Sequence, residues 1–143
     1  MRASDLRRRV RDVVLRVDVG AYTLVVGSER LREALLPGDD MAAYAVQGGT
    51  FIVQLERRSE LGRMRARESR FEMVVSLMTA VRAGADEQAA DLDAGFDCAE
   101  LVADALRVAD VGATMQIRSV AAIGQRDGVC LHDIEITADY LER

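Results

Sequence analysis

Cys130 and His132 stand two residues apart, which on an extended strand puts a thiol and an imidazole on the same side. A thiol beside a base is the minimum of nucleophilic cysteine chemistry, because the thiolate is the attacking species. His132 is the only histidine in the chain, and no third residue is marked by its spacing to orient it. Two strand residues flanking a core are therefore the expected reading. Cys98, the other cysteine, lies far from Cys130 in sequence and forms no CxxC with it. A disulfide framework is not expected, and a reducing compartment is.

The acidic residues at 91–97 are spaced partly like a cation loop. Asp91-Leu92-Asp93 starts like one, but a calcium loop requires a carboxylate or amide at position 5, Gly at 6 and Glu at 12. Counted from Asp91, those positions hold Gly95, Phe96 and Val102, so the match fails and helix-start acids explain Asp91, Asp93 and Asp97 better. Gly48-Gly49 lacks the remaining glycines and the Lys of a phosphate loop. There is no GxSxG, no HExxH and no zinc spacing of Cys and His. The sequence thus assigns no catalytic residue, no cofactor-binding residue and no metal ligand, and a non-enzymatic protein is expected.

Charge is more informative. The 143 residues hold 19 Arg, no Lys and 24 Asp plus Glu, a net charge of −5. Asn is absent as well as Lys, a pattern that A-poor codons of a GC-rich genome explain. Residues 1–70 carry 14 Arg and 10 acids, whereas residues 71–143 carry 5 Arg and 14 acids, so the halves stand at +4 and −9. Such asymmetry suits identical copies that attract through unlike faces. The overall acidity speaks against a dedicated nucleic-acid binder. Half the residues are apolar and 30% are charged, which is globular composition. No apolar run approaches the ~20 residues of a membrane span, and Arg7-Arg8-Arg9 is not followed by the apolar core of a secretory signal.

The elements that must carry these residues follow from periodicity. Leu6, Val10, Val13, Val14 and Val17 predict a helix over Asp5–Val17, capped by Ser4. Tyr22–Val26 reads as a short strand, Ser28–Leu36 as a short helix ended by Pro37-Gly38, and Met41–Val46 as a weak strand broken by Gly48-Gly49. Phe51, Val53 and Leu55, then Phe71, Met73, Val75 and Leu77, alternate as two strands with one apolar face each. Between them residues 57–68 hold five Arg and two Glu, too long a stretch for a tight hairpin loop. Ala83-Gly84-Ala85 opens a polar connection reaching Asp93, a candidate cap for a helix that carries Phe96, Ala99, Val102, Ala105 and Leu106, with small residues able to lie close on a sheet.

Asp127-Gly128 predicts a two-residue hairpin turn. Pairing Arg126 with Val129 then sets Ile123 against His132, Ala121 against Ile134, Ser119 against Ile136 and Ile117 against Ala138, with Arg118 facing Thr137 on the other side. The order of elements gives one α+β domain over residues 1–143, a mostly antiparallel β-sheet flanked by helices.

Three stretches carry a resemblance. The first helix SDLRRRVRDVVLRV, the strand pair FIVQLERR…SRFEMVVSLMTAV and the final HDIEITADYLER, in that order, resemble tail-terminator proteins of long-tailed phages and phage-like particles. The likeness covers most of the chain as an order of elements; the short helix at Ser28–Leu36 and the long final hairpin depart from it. It implies a structural virion protein of the tail or neck, assembled in the host cytoplasm. Such proteins form a ring, commonly a hexamer, that stops growth of the tail tube and joins the tail to the head connector. The implied partners are further copies of the chain, the tail tube protein and the connector or stopper protein, with no membrane. On that reading Arg57, Arg58, Arg63, Arg65 and Arg67 are candidate interface residues, facing a neighbouring subunit, the tube, or DNA in the channel through a sequence-independent attraction. The alternatives are another neck or minor tail protein and a small monomeric or dimeric regulatory binding module.

Overall fold

The computed structural model describes residues 1–19, 23–26, 48–61, 67–126 and 128–142. The expected helix at Ser28–Leu36 and strand at Met41–Val46 lie outside them. Two helices and five strands are described: α1 (Ala3–Leu15), β1 (Thr23–Val26), β2 (Gly48–Glu60), β3 (Arg67–Ala80), α2 (Ala85–Val108), β4 (Thr114–Arg126) and β5 (Val129–Glu142). The strands form one sheet in the order β1-β2-β3-β5-β4. β1 pairs with β2 in parallel, and every other pairing is antiparallel. The fold is α+β, as composition and pattern led one to expect.

Leu6, Val10 and Val14 recur every fourth residue and are fully buried, which places one stripe of α1 on the sheet. Ser4 is not the cap. Arg2 holds the extended conformation before the helix and its carbonyl accepts from the amides of Asp5 and Leu6, so Ser4 lies inside the first turn. α2 begins at Ala85, well before Asp93, with Gly84 in the capping position and Asp86 and Glu87 in the first turn, where acids favour the helix dipole. Asp93 is therefore an interior residue. Ala99, Val102, Ala103 and Leu106 face the sheet, joined by Cys98 and Gly95.

Both helices cover the same sheet face. Their partners there are Phe51 and Val53 on β2, Phe71, Met73, Val75 and Leu77 on β3, and Ile134, Ile136 and Ala138 on β5. Burying a side chain of this size contributes about 1.5–3 kcal/mol, so this layer dominates the stability. α1 packs over β2 and β1, and α2 over β4, β5 and β3. The helices thus lie toward opposite edges of the sheet.

Two further expectations are corrected along β2 and β3. Gly48-Gly49 does not break a strand but opens β2, where Gly49 pairs with Leu24; a Cβ on Gly49 would lie 2.8 Å from the Leu24 side chain, so glycine permits the approach of β1. Residues 57–68 are not one long loop. β2 and β3 continue past the apolar alternation to Glu60 and Arg67, and the Leu61 amide still donates to the Glu68 carbonyl at 2.7 Å. A bulge between Leu55 and Arg57 hides this continuation by breaking the period-two pattern.

The final hairpin keeps its predicted turn pairing, Arg126 with Val129, and Gly128 takes the left-handed φ of +84°. Beyond it the register differs. One bulge between Ala122 and Gly124 and another between Ile117 and Ser119 make His132 face Ala122, Ile134 face Val120, Ile136 face Ile117 and Thr137 face Gln116. Each bulge leaves a residue of β4, Ile123 or Arg118, without a direct partner. The β5 face is nevertheless as expected, with His132, Ile134, Ile136 and Ala138 all toward the helices.

Candidate functional site

Cys130 and His132 do sit together, with Sγ 3.7 Å from Nε2. Both are buried under α2, whose Phe96 meets the imidazole edge-on at 5.8 Å between ring centres. Burial pushes the Cys130 thiol above its ordinary pKa and the His132 imidazole below its own, the latter opposed by the nearby Asp133 carboxylate. Proton transfer from thiol to imidazole would create two charges where each is disfavoured. The pair is held neutral. His132 Nδ1 and Thr79 Oγ1 have no hydrogen-bond partner, and both lie under α2, where Gly95 passes without a side chain. Cys98 is also buried, its pKa pushed up to about 11 by desolvation. Among the described residues no group of three or more His, Cys, Asp or Glu is placed to hold a metal ion.

The sheet's second face is polar toward one end. There Arg70 grips Asp139 with two hydrogen bonds of 2.7 and 2.8 Å, and the pairing holds the Asp139 carboxyl below its usual pKa with a smaller contribution from Arg118. Arg57 lies 3.8 Å from Glu72. A shallow groove of about 400 Å³ is lined by Glu56, Glu72, Arg118, Glu135 and Thr137. Toward the other end of this face Ile52, Val74, Met78 and Leu131 are buried, with Ser76 donating to the buried Asp133 at 2.7 Å.

The arginines expected at an interface have divided fates. Arg57 and Arg58 are exposed on β2; Arg57 meets Glu72, while Arg58 lies over the Phe71 ring at 5.5 Å and donates to Ser69 Oγ at 3.3 Å. Arg67 starts β3, paired with Glu142. Arg63 and Arg65 lie outside the described residues.

The stronger charge feature is one that sequence reading located only as two halves. The stretch Arg2–Arg16 holds six Arg and two Asp, and α2 holds seven acids and one Arg. Since α1 lies over β2 and β1 and α2 over β4, β5 and β3, the basic and acidic helices occupy opposite sides of one layer. Neither helix is long and apolar enough to cross a membrane. No family model matches the chain, and no curated protein matches it either.

Proposed function

We propose that the protein is a structural assembly subunit, a tail terminator of a phage or phage-like particle. Copies join head to tail in a ring, commonly a hexamer in this class, that ends growth of the tail tube and meets the head connector. The chain supplies no chemical step on this reading; it supplies surfaces. The observation that supports it is the sorting of charge, with a basic helix toward one sheet edge and an acidic helix toward the other. A ring needs two different complementary surfaces on each subunit, whereas a two-fold dimer needs one self-complementary patch. The sealed, neutral Cys130–His132 pair is consistent with a core role for those residues. The order of elements adds the resemblance to tail terminators.

Imaging of particles from a strain lacking the gene tests the reading. Overlong or headless tails are the expected outcome, restored by the gene in trans. Normal tails of normal length would overturn it.

A further inference from the structure

We propose that the exposed row of α1 formed by Arg8, Arg11 and Leu15 docks on the exposed row of α2 formed by Asp97, Leu101, Asp104 and Val108 in a second copy of the chain. The proposal rests on the head-to-tail reading above and names its contact surfaces. On α1 the row runs from Ser4 through Arg8 and Arg11 to Leu15, and on α2 from Asp97 through Leu101 and Asp104 to Val108. The spacing is the same in both, four, three and four residues, which aligns each row along one side of its helix. One row is basic and ends in Leu15, 47% exposed. The other is acidic, with Leu101 45% and Val108 85% exposed and Glu100 beside it.

Exposed apolar side chains set among charged ones are the anatomy of a docking surface with a polar rim. A partner with the opposite rim and its own apolar residue is what α1 presents. The charges now satisfied locally are weakly held: Arg8 pairs with Asp5 and Arg107 with Asp104, both within one helix turn and well exposed. They can turn to a second copy at small cost. The outer edge of β4, which no strand among the described residues pairs, is a poorer candidate, because its two bulges interrupt the straight ladder that strand addition requires. Helix against helix, α2 of one copy on α1 of the next, joins unlike rows and leaves the pair with one free row of each sign, basic on one copy and acidic on the other.

The test is charge reversal with complementation, read by sedimentation across protein concentration and salt. Wild type is expected to associate, less at high salt. Arg8→Glu/Arg11→Glu and Glu100→Arg/Asp104→Arg should each associate about tenfold or more weakly, since like charges then face each other. An equimolar mixture of the two variants should regain association, because each reversed row meets its complement. All four substitutions are at exposed positions, and circular dichroism checks that the fold is kept. Leu101→Ser/Val108→Ser should weaken association in a salt-independent way. A wild type monomeric throughout, reversed variants that associate normally, or a mixture without recovery would each overturn the contact. The tail reading fails separately: association as described together with normal tails in the deletion strain would keep the contact and discard the terminator role.

Discussion

Gly95 of α2 lies so near Thr79 of β3 that a Cβ there would sit 2.6 Å from the threonine hydroxyl and 3.1 Å from His132 Cε1. A helix interior normally gains about 1 kcal/mol from replacing Gly by Ala. Here the added methyl must displace a β-branched side chain and a ring in a closed layer, and overpacking costs about 1–3 kcal/mol. The clash should prevail. Gly95→Ala is expected to lower the urea midpoint with an unchanged slope, while Thr79→Val, which removes a buried hydroxyl without a partner, should raise it by about 1 kcal/mol in stability.

Acid sensitivity should begin near neutrality. In the unfolded chain His132 takes up a proton near 6.5, but in the fold burial holds its pKa lower. Between those values the unfolded state binds more protons, so stability falls as pH drops from 6.5 toward the folded value. Asp91 and Asp139 act lower down: their folded pKa values lie below 3.8, so the stability they contribute is present above 3.8 and lost as pH falls through the folded values. Denaturation midpoints across pH 7 to 5 should decline for wild type and flatten for His132→Gln. A wild-type profile as flat as the variant's would refute the assignment.

Both thiols should be inert in the native protein. The Cys98 pKa of about 11 and the raised Cys130 pKa leave little thiolate at neutral pH, and neither sulfur meets solvent. Alkylation monitored by mass should proceed at the rate of unfolding and accelerate with denaturant. Rapid modification of Cys130 in native buffer would show that α2 opens over the Cys130–His132 pair.

The turn between β3 and α2 is held by the Val81 amide donating to the Gly128 carbonyl at 2.7 Å and by a clasp onto the helix. Asp91 accepts from the Arg82 amide at 2.8 Å and from its guanidinium at 2.9 and 3.0 Å, tying the second turn of the helix back to the strand end. Asp91→Ala should raise hydrogen exchange at the Arg82 amide and in the first turns of α2, leaving Ala99–Leu106 protected. Unchanged exchange at Arg82 would show that the anchor is dispensable.

Periodicity revealed what the core enforces. Leu6, Val10 and Val14, the alternation from Phe71 to Leu77 and the β5 face from His132 to Ala138 were all legible, because each is buried on one side. It failed where burial stops. The first turns of α2, Ala85–Ala94, are mostly exposed, so no apolar stripe marks them; their Ala, Glu, Gln and Leu content was the available signal. The far arms of β2 and β3 are polar on both faces and follow a bulge at Glu56. The pairing Arg70–Asp139 joins strands adjacent only through the β3–β5 crossover, which the sequence order of strands conceals. Of the candidate interface, the charge of each half was visible, but its assignment to opposite sides of one helical layer required the sheet order.

The two supernumerary residues of β4 carry a last consequence. Removing Ile123 leaves Gly124 opposite Leu131 and Ala122 opposite His132, and removing Arg118 leaves Ser119 opposite Glu135 and Ile117 opposite Ile136. Neither deletion alters which side chains enter the core. What it alters is the border of the sheet: the strand straightens and offers a regular ladder outward. A chain two residues shorter would keep the same core yet present an edge to which a further strand could add, so the irregular border of β4 acts as a guard against strand-by-strand growth.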